Sequence, residues 1–344
     1  MKIFCALGVS LGVVVAVFLA ALAPAVAQER QPLRLIQTIS IPNVKGRLDH
    51  MDADIRGQRL FVAGLENGSV EVIDLRAGKA IRSIPGFKKP QGIAYIDVLD
   101  KLFVASGDDG TLRVFRGDTL ELESAIKLDL GANRVAYDPR KRLIYLGYGG
   151  KDAGKDYGEV AVIDAKKNQV LGAVRVAAHP SEIVVDRTGA RAFVEVPVAD
   201  QIQVIDVKKR EVVAAWPVSS HRPGDMAYDE TSDRLFLGTH APPEMVVMDS
   251  KSGKELAALP TVEGMDGVFF DQSLKRVYVS GGRGVEVGYI FVYQQAGDRY
   301  ELISKIPTRA GAGTSLWVPE LKRFYVAAPA TDGEAAILVF ETQP

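Results

Sequence analysis

The residues of this chain that could do chemistry stand in short polar pairs, each followed at once by an apolar side chain. The pairs are Asp49-His50, Gln91-Gly92, Asn133-Arg134, Ser181-Glu182, Gly224-Asp225, Asp266-Gly267 and Thr314-Ser315. The apolar residues after them are Met51, Ile93, Val135, Ile183, Met226, Val268 and Leu316. Several acids, one arginine, one histidine and small polar groups around one opening would suit a polar ligand. The candidate contacts are Asp49, His50, Gln91, Asn133, Arg134, Glu182, Asp225, Asp266 and Ser315, with His221 on the approach. As an active site, Glu182, Asp225 or His50 would be the general base and Arg134 would polarise a carbonyl. The plain alternative is that polar residues only line a wet interior, with Arg134 neutralising its neighbour Glu182.

Other constellations carry less. The four histidines are His50, His179, His221 and His240. A cluster of His179, His221 and His240 aided by Asp225 is the feasible metal set, but no His-x-x-x-His spacing supports it, and no metal is assigned. Gly149 to Lys155 fits G-x-x-x-x-G-K, yet Asp156 replaces the hydroxyl residue and a strand follows where the phosphate cradle needs a helix. Asp152, Asp156 and Glu159 miss a calcium loop because Gly154 occupies a ligand position. Arg283, in Gly281-Gly-Arg-Gly284, is either a ligand contact or an ordinary loop residue. No Gly-x-Ser-x-Gly elbow or Ser-His-Asp order is present, so no catalytic residue is assigned.

The elements that must position these pairs are written as a repeat. A basic residue opens the same strand phrase seven times, beginning at Arg59, Lys101, Arg142, Arg191, Arg234, Arg276 and Arg323. The intervals are 42, 41, 49, 43, 42 and 47 residues. A period of about 40–45 residues built from short β runs is the signature of propeller blades. In the second repeat, Gly92-Ile-Ala-Tyr is strand A and Lys101–Ser106 strand B. Gly107-Asp-Asp-Gly110 is a hairpin turn, Thr111–Phe115 is strand C and Leu120–Leu128 strand D. Asp74, Asp164, Asp206 and Asp249 each end strand C, so their recurrence marks a turn position and not four catalytic acids. Gly78 and Gly253 follow two of them, where φ above zero is available.

The last repeat has strands A (Leu316-Trp-Val), B (Arg323–Ala327) and C (Ala336–Phe340) but no strand D. Leu33–Ile41 reads like a D strand, and would complete blade 7 by pairing the two terminal edges. The expectation is an all-β, seven-bladed β-propeller of four antiparallel strands per blade. Pro90-Gln-Gly-Ile-Ala-Tyr, Leu102-Phe-Val-Ala, Leu112-Arg-Val-Phe and their counterparts resemble the YVTN-type (YncE-like) propeller repeat family over essentially the whole chain after residue 27. Strand B here reads Phe-Val-Ala-Gly or Tyr-Val-Ser-Gly and never Tyr-Val-Thr-Asn. The resemblance implies an exported or surface binding protein and offers no catalytic motif. In such a ring the D–A crossovers and B–C turns share one face, and all four histidines fall there. Trp216 and Trp317 are read as packing residues, Trp317 between blades.

Met1-Lys2, an apolar run from Ile3 to Ala23 and Ala25-Val26-Ala27 before Gln28-Glu29-Arg30 form a signal-peptide pattern cleaved after Ala27. The alternative is a membrane anchor formed by residues 3–23. The chain after it, residues 28–344, is expected to be one periplasmic domain. The chain's only cysteine, Cys5, would leave with the signal, so the domain would hold no disulfide. Charge is balanced and interspersed, 42 basic against 43 acidic residues, which argues against a nucleic-acid footprint. The leading expectation is a binding protein, monomeric, recognising a small polar ligand or a protein partner at the channel mouth, with any cofactor unknown. The alternatives are a lactonase-like hydrolase or a cofactor-dependent oxidoreductase on the same face, which fold analogy alone supports, or an assembly scaffold.

Overall fold

The structure, a computed structural model, describes Met1, residues 31–330 and residues 333–344. The signal segment expected over residues 1–27 lies outside the described residues apart from Met1. Among the described residues no helix is long and apolar enough to cross a membrane.

From Gln31 onward the chain forms seven four-stranded sheets, all of whose neighbouring strands are antiparallel. Six blades are read off in chain order: blade 1 runs Leu48–Asp54, Arg59–Gly64, Ser69–Asp74 and Lys79–Pro85, and blade 5 Asp225–Asp229, Arg234–Gly238, Glu244–Asp249 and Glu255–Pro260. The burial pattern explains why the repeat was readable. Strands B and C lie between neighbouring blades and are mostly apolar, as at Leu60–Ala63. Strand D is the outer edge and alternates, as at Glu211–Pro217. Blade 2 ends on Leu122–Lys127, shorter than the expected run because Leu120 is in a left-handed turn at φ 57°.

The recurring basic residue belongs to the fold. Arg59 donates to Asp54 Oδ2 at 2.6 Å and lies over the Phe61 ring at 5.4 Å. Arg191 does the same with Asp186 (3.2 Å) and Phe193 (5.1 Å). The aspartates ending strand C are turn acceptors: Asp74 takes the N–H of Arg76 and Ala77, and Asp249 those of Lys251 and Ser252. Gly253 follows at φ +74°, with its missing Cβ position 2.2 Å from Trp216 Cγ. Both the dihedral and the space require glycine there.

Blade 7 holds Ser315–Val318, Arg323–Ala328 and Ala335–Thr342, and its fourth strand is Leu33–Ile41. The pairing runs Leu35↔Phe340 and Ile39↔Ile337, with Arg34 bonded to Glu341 at 2.7 Å. Ile39 and Ile41 then pack against Leu60 and Val62 of blade 1. The ring is therefore closed by the N-terminal strand, as the missing D strand implied. Trp317 packs against Tyr278 of blade 6, ring centroids 5.6 Å apart.

Candidate functional site

Strand A is the innermost strand of each blade and has a neighbour on one side only. Its axial edge carries backbone N–H groups that side chains must satisfy. Several polar residues of the ring do this locally. Asp49 Oδ1 accepts from the His50 amide (3.0 Å), Glu182 Oε1 from that of Ile183 (2.9 Å) and Asp225 Oδ1 from that of Met226 (2.8 Å). Asp52, one turn of the pleat deeper, accepts from the amide of Tyr95 in the next blade at 2.7 Å.

Arg134 ties four blades together across the axis. Its Nη1 donates to His50 Nδ1 at 2.6 Å and its Nη2 to Asp225 Oδ1 at 2.9 Å, while Glu182 Oε2 is in direct contact with Nη2. Arginine has no acceptor, so His50 Nδ1 must accept and the ring proton sits on Nε2. Burial, followed by the charge of Arg134, holds the His50 pKa well below the usual histidine range, so the imidazole stays neutral. Burial raises Asp225 against the pull of Arg134. The pairing of Arg134 with Glu182, named as the plain alternative, is what the fold makes, with Asp225 added.

A second network stands beside it. Asp266 accepts from Arg47 (3.1 Å), Arg283 (3.2 Å) and Thr314 Oγ1 (2.6 Å). Burial disfavours its charge, but the two guanidiniums prevail and its pKa is lowered. Asp49, 3.3 Å from Arg47, is 1 % exposed, and burial pushes its pKa to about 6 in spite of that cation.

Two cavities meet at the Arg134–His50 contact. The outer one, about 210 Å³, opens at the mouth and is lined from six blades, including Arg47, Asp49, His50, Gln91, Asn133, Arg134, Arg222, His240, Asp266 and Arg283. The inner one, about 410 Å³, is the axial channel, with Glu182, Asp225 and the apolar residues Met51, Ile93, Val135, Ile183, Met226 and Val268 on its wall. Among the described residues three buried polar atoms at the mouth make no hydrogen bond to protein: Arg47 Nε, Asn133 Oδ1, and Asp49 Oδ2, which has only the Arg47 ion pair.

The fold thus brings Asp49, His50, Gln91, Asn133, Arg134 and Asp266 to the mouth, and Glu182 and Asp225 just beneath it. Two expected contacts lie elsewhere. Ser315 Oγ bonds Ser280 Oγ at 2.7 Å, a buried link between blades 6 and 7, because its side chain leans into the interblade seam. His221 is two-thirds exposed and bonds Asp200 at 2.7 Å, since the crossover carries it outward over the blade 4 turn. His240 reaches the mouth, and His179 is held by the Gly149 carbonyl at 3.0 Å. Among the described residues no three His, Cys, Asp or Glu side chains are grouped to hold a metal. Asp152, Asp156 and Glu159 each face a cation: Lys89, Arg175 and Lys155.

Sequence reasoning missed Arg47 and Arg222, which sit in crossovers ahead of strand A, where spacing does not say which way a side chain folds. It also missed Glu195, fully buried on strand B of blade 4 with neither carboxylate oxygen bonded. Burial, with Asp225 nearby, drives the Glu195 pKa far up. The signal was visible: Glu195 stands where the other repeats carry alanine, glycine, leucine or serine.

No family model matches the sequence, and no curated protein matches it. Solved structures match the fold. One, from a crystal structure of the mitotic checkpoint complex, superposes with a TM-score of 0.74 at 11% identity, covering 97% of this chain and 100% of that one. Another, the hydrazine synthase of Kuenenia stuttgartiensis, gives 0.72 at 17% identity, covering 87% and 97%. At such identities the likeness concerns the seven-bladed architecture alone.

Proposed function

We propose that this chain is an exported binding propeller that takes a small polar ligand in the mouth of its ring. The observation that carries the reading is the 210 Å³ mouth cavity, which only the closed ring assembles and whose wall holds buried polar atoms that make no hydrogen bond to protein. A buried donor or acceptor left unbonded costs about 1–3 kcal/mol, so the site favours an occupant that bonds them. The candidate bases are poorly placed for turnover. The Nδ1 lone pair of His50 is taken by Arg134, and the charge of Arg134 is already neutralised by Glu182 and Asp225. The strand phrases support placement with the YVTN-type propellers, and the Ala25-Val26-Ala27 boundary supports export.

Native mass spectrometry of the protein purified from its host would test for a retained small molecule. Arg134→Ala and Glu182→Ala, singly and together, would then be assayed for binding and for hydrolytic or redox turnover. Weakened binding without turnover in the parent supports the proposal. Turnover that the folded variants lose would replace it with an enzyme, and binding unchanged in all three would remove the mouth as the site.

A further inference from the structure

Resting on that reading of the mouth as a binding site, we propose that its ligand class is a small carboxylic acid bearing a hydroxyl or amino group beside the carboxylate. The wall charge selects the anion. Three arginines not neutralised from below, Arg47, Arg222 and Arg283, face the cavity against two carboxylates, Asp49 and Asp266. Glu182 and Asp225, which balance Arg134, lie beneath it on the channel wall. Asp266 lies between two guanidiniums and uses one nitrogen of each, Nη2 of Arg47 and Nη1 of Arg283. Arg47 keeps its buried Nε unbonded. A second carboxylate next to Asp266 would find donors already oriented, since Asp266 holds both guanidiniums in place.

The unbonded acceptors select the other group. Asp49 Oδ2 and Asn133 Oδ1 are buried on the same cavity wall; Asn133 Oδ1 has no hydrogen-bond donor, and Asp49 Oδ2 has only its ion pair with Arg47 at 3.3 Å, outside hydrogen-bond geometry. Neither can be satisfied by a simple carboxylate, which only accepts. A hydroxyl or ammonium on the neighbouring carbon supplies the missing N–H or O–H. The cavity volume equals that of about seven liquid waters, which sets the ligand's scale at a few carbon atoms.

The test is calorimetric titration of the full-length protein at low salt with lactate, alanine, propionate, isopropylamine and inorganic phosphate. Lactate or alanine is expected to bind about tenfold to a hundredfold more tightly than propionate, because propionate leaves buried acceptors unbonded. Comparing lactate with alanine decides between the hydroxyl and the amine. Arg283→Gln, whose parent side chain is partly exposed and in a loop, should weaken every carboxylate about tenfold. Asn133→Ala should weaken lactate and alanine but leave propionate unchanged, which a general loss of structure would not do. Propionate binding as well as lactate and alanine would overturn the donor half of the proposal. Phosphate or isopropylamine binding most tightly would overturn the ligand class. If none of the five binds while another retained molecule occupies the mouth, the class is wrong and the binding reading stands. If no retained molecule is found either, both fall.

Discussion

Arg134→Ala is the sharpest probe of the ring's interior. In the native protein this side chain faces Glu182 and Asp225 and donates to His50, and its removal leaves two carboxylates in low dielectric without a counter-charge. The side chains are 19% exposed for Arg134, 10% for Glu182 and 5% for Asp225, so water at the mouth relieves only part of the penalty. Breaking a buried pair from one side costs about 3–5 kcal/mol, which at roughly 2 °C per kcal/mol for a domain of this size lowers Tm by about 6–10 °C. The pH dependence carries the sign. Without Arg134 the folded pKa of Asp225, which burial already raises, rises further above the unfolded value, so the folded state holds extra protons at mildly acid pH. The deficit is then largest near pH 7.5 and shrinks as pH falls toward 5. Urea unfolding of parent and variant across that range measures it. The triple variant Arg134→Met, Glu182→Gln, Asp225→Asn, free of buried charge, should recover most of the loss. A deficit under about 1 kcal/mol at pH 7.5, or one that grows on acidification, would refute the reasoning.

The buried carboxyls of Asp49 and Asp52, raised to about 6, and of Glu195, raised further, should each add stability as pH falls from 8 to about 5, against the loss from His50 and His240, whose lowered pKa values keep them neutral in the fold. Asp52→Asn should remove its share of that gain in thermal melts recorded across the range, and an unchanged pH dependence would remove Asp52 from the account. His50 should remain neutral with its proton on Nε2 through the ordinary histidine range, which imidazole ¹⁵N shifts report directly, and titration near 6.5 would contradict the Arg134 contact. Gly253→Ala should cost about 1–3 kcal/mol in urea unfolding, since it places a Cβ at positive φ and against Trp216, whereas Gly284→Ala, with open space around its Cβ position, should cost only the dihedral strain.

What the linear chain determined is the part of the molecule that repeats. Strand B is buried between blades in every copy and is mostly apolar, strand D is an edge and alternates, and Asp74, Asp164, Asp206 and Asp249 each close a local turn. Those demands act within about 45 residues and leave a period that can be counted. The missing D strand of blade 7 was equally legible, because the unpaired edge of strand C has to be covered by a segment of matching pattern. The ring of polar pairs followed from the same register, and six of the ten named contacts reach the mouth. Which charges meet was decided only in three dimensions. His50 and Arg134 are 84 positions apart, and Arg134 and Asp225 are 91, so no local pattern couples them. Ser315 and His221 occupy the expected elements, yet one leans into a seam to reach Ser280 and the other swings out to Asp200. Arg47 and Arg222 enter from crossovers whose paths depend on the neighbouring blade, not on any strand period. Periodicity is a property of the backbone and the packed core, whereas the selectivity of the mouth belongs to side chains that meet across the axis once the ring has closed.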